Sequence, residues 1–518
     1  MNHEVISNAD DHWDVVVIGG ALSGAATAIL LLRHNPGIRI LIVEKSETLG
    51  RRVGEATVEV SAFFLCRVLG LTHFLNETQL VKQGLRFWFQ NDEVQGVADA
   101  SEVGAKYLAR IPSFQLDRST LDEEVLRRAC AAGATLLRPA TVSNVQLHPG
   151  GDQSMDIKHG DTVRSVRARW VIDASGVAAL LARRNGWWVP NTDHPTAACW
   201  SRWKGVKDWD SRELAEKYPD WARAVYGTRN TATNHIIGDG WWSWWIPLKG
   251  GDVSVGLVLD QRLVDFPQTG GSLGDRLKDF LMKHPVASEM LADAHYCEED
   301  MHWRRNLAYS STQFAGDGFV LVGDAAAFID PFYSPGMDWI SFTATSAAHL
   351  ITQQRQGAPM APLIQRHNHD FSVSLQRWFT ALYKDKYEYM GEFDILNLAF
   401  RLDLSLYYWG VVEVPFHHGE QAFLTPPFSP PSGRFFAALM ATYNRRFVQI
   451  ARRRRRIGSL GQKNRAHRRL IPGFTLNRRD TLRLIPMLAE WAWLELTEGW
   501  HTWRNDPAPT PDRVPVAG

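Results

Sequence analysis

The stretch Trp13-Asp14-Val15-Val16-Val17-Ile18-Gly19-Gly20-Ala21-Leu22-Ser23-Gly24-Ala25-Ala26 decides the fold. It runs from an apolar strand through small residues into a helix, which is the opening of a dinucleotide-binding unit. Gly19 allows a tight turn, Gly24 lets the helix pack closely on the strand, and the helix N-terminus can receive a pyrophosphate. Ala21 stands where the motif has its middle glycine, so the match is incomplete.

A carboxylate further along supports the same prediction. The apolar run 38–43 ends in Glu44, twenty-five residues after Gly19. A carboxylate at this distance can accept hydrogen bonds from the ribose hydroxyls of a dinucleotide. We therefore predict dinucleotide binding through Gly19, Gly20, Gly24 and Glu44.

Two later strand ends predict a return to the same unit. Val171-Ile172-Asp173-Ala174-Ser175-Gly176 closes an apolar run on small residues, and the run 318–322 leads into Gly323-Asp324. Pro331, Pro335 and Gly336 then bend a loop before a helical pattern begins. A strand, a Gly-Asp turn, a loop and a helix start suit a cofactor held at a helix N-terminus.

A second domain is predicted between these strand ends. Segments 240–247 and 252–259 are rich in aromatic and β-branched residues, and the four residues between them include two glycines, which predicts a hairpin. The fold class is therefore α/β, a Rossmann-like dinucleotide-binding domain with an inserted, mostly antiparallel sheet and a helical C-terminal region. The expected boundaries are 1–80, 100–185 and 302–350 for the first domain, 81–99 and 186–301 for the sheet domain, 351–505 for the helical region, and a disordered tail 506–518.

Composition narrows the class of protein. The chain has 518 residues, 45% of them hydrophobic, and its four cysteines have neither metal-ligand nor redox-pair spacing. We expect no metal site. The polar first twelve residues lack an apolar signal core, and no apolar run approaches the length of a membrane span, so a cytoplasmic protein is expected.

The net charge of +1 hides a basic segment. Thirteen Lys or Arg and no acid lie between Arg445 and Arg479. A solvated basic helix face, a dock for an acidic partner such as an acyl carrier protein, and contact with an anionic membrane surface all fit this pattern. Nucleic acid is not expected, because no nucleic-acid module accompanies the segment.

Two local signatures carry a family resemblance. The three glycine-containing strand ends resemble the FAD-binding layout of the flavin monooxygenase superfamily, and within it the chain resembles the flavin-dependent halogenases. Residues 242–247 match the family's W-x-W-x-I-P element, and residues 328–336 match its F-x-x-P-x-x-S-x-G element. The resemblance covers residues 13–350.

The resemblance implies the cofactors and their sites. FAD would be supplied reduced by a separate flavin reductase, and chloride or bromide would bind at Ser334, Pro335 and Gly336. Since Pro335 has no N–H, the N–H groups of Ser334 and Gly336 would bind the halide. The implied FAD contacts are Gly19, Gly20, Gly24, Glu44, Arg52, Glu55, Ala56, Arg118, Gly323, Asp324, Gly336 and Met337. Arg118 fits an ordinary helix-start arginine equally well.

The resemblance also implies the catalytic residues Lys82, Trp242, Trp244 and Tyr333. Lys82 matches the lysine that captures hypohalous acid and passes electrophilic halogen to the substrate. Trp242 and Trp244 are two apart on a strand and project from one face, as a wall between substrate and flavin requires, although sheet packing explains them too. We expect Lys82 and these tryptophans to line one cavity separated from the flavin.

Tyr333 departs from the tryptophan halogenases, which carry a glutamate at this position. The departure favours a more activated ring, a phenol or pyrrole that is free or bound to a carrier protein. Two alternatives stay open: a FAD-dependent aromatic hydroxylase or related flavin oxidoreductase, and a non-catalytic FAD-binding partner protein.

Overall fold

The computed structural model describes residues 11–503. In chain order the strands are β1 (His12–Ile18), β2 (Ile40–Val43), β3 (Leu80–Lys82), β4 (Leu85–Phe89), β5 (Glu102–Ala105), β6 (Ser113–Gln115), β7 (Thr135–Leu137), β8 (Ala140–Gln146), β9 (Gln153–His159), β10 (Thr162–Asp173), β11 (Trp188–Pro190), β12 (Thr196–Lys204), β13 (Thr233–Gly238), β14 (Trp241–Pro247), β15 (Val253–Asp260), β16 (His295–Tyr296), β17 (His302–Arg305), β18 (Tyr309–Ser311), β19 (Ala315–Gly316), β20 (Phe319–Leu321), β21 (Ala327–Phe328) and β22 (Arg468–Ile471). The α-helices are α1 (Leu22–His34), α2 (Glu59–Phe63), α3 (Thr72–Thr78), α4 (Arg118–Ala131), α5 (Leu180–Arg184), α6 (Arg212–Lys217), α7 (Pro219–Arg223), α8 (Leu273–Met282), α9 (Pro285–Met290), α10 (Gly336–Arg355), α11 (Met360–Trp378), α12 (Phe393–Tyr407), α13 (Glu413–His418), α14 (Gly433–Arg456) and α15 (Leu484–Thr497).

The first sheet brings the three predicted strand ends together. Its order is β19-β20-β10-β1-β2-β7, and the pairs from β20 to β7 are parallel. The carboxyl ends of β20, β10 and β1 therefore meet at one edge of the sheet, which is where ligands bind in open α/β folds. The residues that follow those strands, including Gly19 and Gly323, face the same crevice.

Glycine is required at two positions of the opening stretch. Gly19 has φ of +105°, and a Cβ there would lie 2.5 Å from the carbonyl oxygen of Ala174. A Cβ on Gly24 would lie 2.0 Å from the carbonyl oxygen of Gly19. The tight turn and the close packing of α1 on β1 therefore both depend on a missing side chain.

The second sheet contains the predicted hairpin. Its order is β16-β12-β15-β14-β13-β4-β5-β22, with β17 paired to β12, and β14 pairs with β15 antiparallel. Trp242 and Trp244 belong to one hydrophobic cluster, while Trp241 and Trp245 belong to another on the opposite face. The alternation follows from the two-residue period of a strand.

Three strands join this sheet from outside the segments expected to form it. β5 and β17 lie in segments predicted for the FAD-binding domain, and β22 lies in the predicted helical region. Those assignments are wrong for these strands. β22 pairs with β5 across more than 360 residues of sequence, a pairing that no local pattern reveals. The remaining domain boundaries stay a prediction.

Long helices follow the loop 331–336. α10 packs against α1. Two π-helical turns, Phe379–Tyr383 and Tyr408–Val412, follow α11 and α12. Between residues 11 and 503 we find no helix that combines the length and hydropathy needed to cross a membrane. The tail 506–518 lies outside the described residues.

The basic segment is largely neutralised inside the chain. Among the contacts that the structure describes, these side chains form ion pairs: Arg446, Arg452, Arg454, Arg455, Lys463, Arg465, Arg468 and Arg469. Arg454 is buried against Glu392, Asp394 and Glu498. Arg454 is therefore unavailable to a partner, whereas Lys463, Arg465 and Arg469 stay about half exposed, so the expected roles of the segment remain a prediction.

Candidate active site

Two neighbouring cavities contain most of the predicted site residues. The first, here called the Trp242 cavity, is bounded by the loop 53–56, Arg118, Trp242 and Trp244 of β14, and the residues 334–337. The second, the Lys82 cavity, is bounded by Lys82, Glu59, Asp338 and residues of α12 and the π-helical turns. Pro335 lines both cavities, so the loop 331–336 lies where they adjoin.

The predicted FAD contacts fall into two groups. Glu55, Ala56, Arg118, Asp324, Gly336 and Met337 line the Trp242 cavity. The other six, Gly19, Gly20, Gly24, Glu44, Arg52 and Gly323, lie outside its lining. The Glu44 carboxylate accepts hydrogen bonds from the backbone N–H groups of Gly20, at 2.8 Å, and Ser46, at 2.9 Å.

The residues present fit a dinucleotide cofactor. The N-terminus of α1 and the glycine turn before it leave backbone N–H groups for a pyrophosphate. Arg52 lies beside Arg118 at this site, with its Nε 3.4 Å from the Asp122 carboxylate that Arg118 also contacts. Burial raises the pKa of Asp324, against the opposing effect of Arg118 and Arg304.

Arg118 holds the charged loop in place. Its guanidinium donates to the Asp122 carboxylate at 3.1 Å and to the Val53 carbonyl oxygen at 3.1 Å. A Cβ on Gly54 would lie 2.7 Å from Arg118 Nη1. This arginine therefore both lines the cavity and fixes the loop 53–56 beside it.

Sequence reasoning missed Arg202, which positions Glu55. Arg202 lies buried on β12, and its Nη2 donates to Glu55 Oε1 at 2.9 Å. Burial is the largest effect on the Glu55 carboxyl and raises its pKa, while Ser254 and Arg202 oppose the rise. Arg202 stands alone in an aromatic strand, where no motif points to it.

In the predicted halide loop, one of the two N–H groups expected to bind the halide, that of Ser334, is already hydrogen-bonded. Tyr333 and Ser334 have φ of +67° and +56°, the left-handed region that non-glycine residues adopt at some energetic cost. The Ser334 N–H donates to the Pro331 carbonyl oxygen at 2.9 Å, so the expected halide contact from that N–H is wrong in this conformation. Gly336 and Met337 begin α10, where the first N–H groups have no acceptor inside the helix. Ser334, Pro335 and Gly336 all line the Trp242 cavity.

Trp242 is fixed to the same loop. Its Nε1 donates to the Tyr387 hydroxyl at 2.8 Å, and that hydroxyl donates to Asp330 at 3.0 Å. His194 lies 2.7 Å from the same carboxylate. The Trp244 Nε1 donates to Ser254 at 3.2 Å. The indole of Trp242 is thus held rigidly between the sheet and the loop.

Lys82 ends β3 and lies in the other cavity. It is buried, and its Nζ donates to the Thr57 carbonyl oxygen at 2.8 Å. Burial lowers its pKa to about 8, while Glu59 and Asp338 oppose that change. Because Trp242 and Trp244 line the neighbouring cavity, the expectation that they share one cavity with Lys82 is wrong.

Two carboxylate–tyrosine pairs share the cavity with Lys82. Asp338 accepts from the Ser61 backbone N–H at 2.9 Å and from the Tyr407 hydroxyl at 3.1 Å. Glu59 accepts from the Tyr408 hydroxyl at 2.5 Å. Burial raises the pKa of the Asp338 carboxyl to about 7.

Tyr333 belongs to a third polar group of this cavity. Its hydroxyl donates to Asp403 at 3.2 Å, and the same carboxylate accepts from Lys386 at 2.8 Å and Tyr443 at 2.5 Å. Burial, followed by the charge of Asp403, raises the pKa of Tyr333 well above 10. Tyr333 is therefore a neutral hydrogen-bond donor.

Most of these partners could not be found from the sequence. Asp338 alone gives a signal, because it stands two residues after Gly336 of the second signature. Asp403, Lys386, Tyr407 and Tyr408 come from the C-terminal helices, which the family resemblance does not cover.

Fold and site together define an FAD enzyme. Residues 14–235 match the family model of the FAD dependent oxidoreductases. The chain is 28% identical over 370 residues to flavin-dependent halogenase chlA of Dictyostelium discoideum, covering 65% of this chain and 59% of that relative, less than two thirds of its length. It is 25% identical to the 1H-pyrrole-2-carbonyl-[peptidyl-carrier protein] chlorinase of Pseudomonas fluorescens, covering 76% of this chain and 86% of the relative.

A solved structure extends the likeness to the whole fold. The crystal structure of halogenase PltM superposes with a TM-score of 0.71 at 19% identity and covers 93% of this chain and 96% of that one. The residues that match the family model are those of an FAD dependent oxidoreductase, and the relatives found by sequence are flavin-dependent halogenases.

Proposed function

We propose that this protein adds chlorine or bromine to an activated aromatic ring, a phenol or a pyrrole, using reduced FAD and oxygen. One observation carries the proposal: Lys82 lies in a cavity distinct from the Trp242 cavity, with Pro335 lining both. A ring bound beside Lys82 does not reach the FAD side, so the oxidising species must be small enough to pass. Hypohalous acid has that size.

The chain's own residues divide the work between the two cavities. Bound reduced FAD, with oxygen and halide, would supply hypohalous acid. The N–H groups of Gly336 and Met337 bind the halide at the start of α10, where the helix dipole also favours an anion. Trp242, fixed through Tyr387 and Asp330, keeps a ring out of the FAD side. The Lys82 ammonium holds hypohalous acid by a charge-assisted hydrogen bond.

Tyr333 and the relatives support the substrate class. An electron-rich ring needs little further activation, which suits a cavity where a neutral tyrosine occupies position 333. A PltM structure contains phloroglucinol and FAD, and the Pseudomonas relative is named for a carrier-bound pyrrole. A separate reductase supplies the reduced FAD, since one dinucleotide opening is evident in the sequence.

An aromatic hydroxylase of the same fold is disfavoured by the separated cavities. Such an enzyme transfers oxygen from the flavin directly, so its substrate must contact the ring. A Lys82 cavity apart from the Trp242 cavity prevents that contact. A non-catalytic FAD-binding partner would have no use for a buried lysine facing two carboxylates.

The test combines the purified protein with FAD, a flavin reductase, NADH, oxygen, bromide and phloroglucinol. Mass spectrometry should detect brominated phloroglucinol, and chlorinated product when chloride replaces bromide. Lys82→Ala should lose this product while bound reduced FAD is still reoxidised. Lys249→Ala, which removes an exposed lysine outside both cavities, is the matched control. Hydroxylated product without halide, or full halogenation by Lys82→Ala, would refute the proposal.

A further inference from the structure

Asp338 lies three residues after Pro335, which lines both cavities. It is the third residue of α10, which begins at Gly336 of the halide loop, and it lines the Lys82 cavity. Its carboxylate is buried and held by Ser61 and Tyr407. A rigid helix therefore presents a carboxylate to the space in front of Lys82.

The other acidic groups of the cavity are less suited to take up a proton. Asp403 already accepts from Lys386, Tyr443 and Tyr333, so its charge is paired. Tyr333 holds its own proton, as its raised pKa requires. Within residues 11–503, half-buried Glu59 accepts a hydrogen bond from the Tyr408 hydroxyl, whereas buried Asp338 accepts hydrogen bonds at both of its oxygens. A desolvated, fixed carboxylate is the stronger and better-placed base.

We propose that Asp338 is the catalytic base that removes the ring proton during halogenation, a role that rests on the proposed function. As the ring carbon bonds to the halogen, the halogen–oxygen bond breaks and the Lys82 ammonium gives a proton to the departing hydroxide, which leaves as water. The carbon that gained halogen then loses its proton to Asp338, which restores the aromatic ring. Asp338 returns the proton to Lys82. The sum is hypohalous acid plus arene giving haloarene plus water.

The pKa values of Lys82 and Asp338 allow the proton to return from the aspartic acid to the lysine at little cost in free energy. The pKa of Lys82 is lowered to about 8 and that of Asp338 is raised to about 7, so little free energy separates the two protonated states. Tyr407 and Glu59 are the other titratable groups that bear on Asp338 from α12 and α2. A proton can therefore move between Asp338 and Lys82 without leaving a strongly disfavoured charge.

The experiment compares Asp338→Asn with Glu59→Gln, using phloroglucinol and its ring-deuterated form. Both variants remove one negative charge near Lys82, so an effect that acts only through the lysine would appear in both. Asp338→Asn should slow halogenation about 100-fold, the range expected for loss of a general base. Ring deuteration should slow this variant further, because proton removal has become rate-limiting. Glu59→Gln should be slowed less and show no isotope effect.

Two further measurements separate failure of this proposal from failure of the proposed function. Bound FAD absorbance and thermal midpoint check that both variants are folded, and a soluble diketone trap reports hypohalous acid escaping from each. Trap halogenation by Asp338→Asn with phloroglucinol left unreacted supports the base. The assignment of Asp338 as the base is overturned if both variants are slowed equally, or if a folded Asp338→Asn shows no isotope effect. In either case, brominated product from the wild type leaves the proposed function intact. If Asp338→Asn does not fold, Tyr407→Phe takes its place in the experiment. Ring deuteration must then slow halogenation by Tyr407→Phe, by a smaller factor than expected for Asp338→Asn, and the absence of that slowing overturns the proposal.

Discussion

Removing the Arg454 guanidinium should weaken the C-terminal helices. Arg454 is 3% exposed at its side chain, and its partner Glu392 is 1% exposed. It also contacts Asp394 at 2.7 Å and Glu498 at 2.8 Å. Substitution by methionine keeps the length of the side chain and removes the charge, which leaves three carboxylates without their common cation.

The size of the effect follows from burial. Removing one partner of a buried ion pair costs about 3–5 kcal/mol, because the remaining charge cannot be hydrated. Arg454→Met should therefore lower the free energy of unfolding by about 3–5 kcal/mol. Arg452→Met is the matched control: Arg452 is 35% exposed and pairs with Glu388, so its loss should cost at most about 1 kcal/mol.

Urea unfolding followed by tryptophan fluorescence measures both variants. Glu392 and Asp394 open α12, whose Phe400, Asp403 and Leu404 line the Lys82 cavity, so Arg454→Met should also weaken phloroglucinol binding. If the basic segment served as an open docking surface, Arg454→Met would change neither the free energy of unfolding nor phloroglucinol binding. An unfolding free energy of Arg454→Met within about 1 kcal/mol of the wild type would refute the internal role.

Three further predictions concern the cofactor turn, the lysine and Tyr333. Gly24→Ala should abolish FAD binding, measured by bound-flavin absorbance, because its Cβ would lie 2.0 Å from the Gly19 carbonyl oxygen; Gly50→Ala, which meets nothing within 4 Å, should bind normally. Halogenation should fall above pH about 8, because the Lys82 ammonium of the folded protein loses its proton there. In the unfolded chain this lysine keeps its proton up to pH 10.5, so the unfolded chain binds more protons between these pH values and the free energy of unfolding in urea should rise with pH. An identical rise in Lys82→Met would contradict the assignment. Tyr333→Glu would place a second carboxylate beside Asp403, so we expect it to have a lower free energy of unfolding in urea than Tyr333→Phe. We also expect mass spectrometry to detect no halogenation of tryptophan by this variant. Equal stability of the two variants would argue against the Asp403 contact.

The cofactor side of this protein could be predicted well from the sequence, because its requirements are local. Gly19 and Gly24 are fixed by turn geometry and close packing within one strand–turn–helix unit. The hairpin β14–β15 and the opposite faces of its tryptophans follow from the two-residue period of a strand. The two halogenase signatures lie in continuous segments and pointed to the family for the same reason.

The reaction side was decided by tertiary contacts. The sequence made Lys82 a candidate, and that role stays a prediction, but it gave no reason to choose its carboxylate neighbours Glu59 and Asp338, because those lie beside it only in the folded chain. The shared-cavity expectation failed because strand period places Trp242 and Trp244 on a face without determining which cavity that face meets. The Ser334 N–H was expected to be free, yet a turn within its own loop occupies it.

The basic segment shows the same division most clearly. Sequence alone determined its charge, its helical pattern and the absence of acids within it. Whether those charges are paired depended on acids elsewhere in the chain, from Glu93 to Glu498, that folding brings against them. Charge is a property of residues and is read directly, whereas ion pairing is a property of distances that exist only in the folded chain.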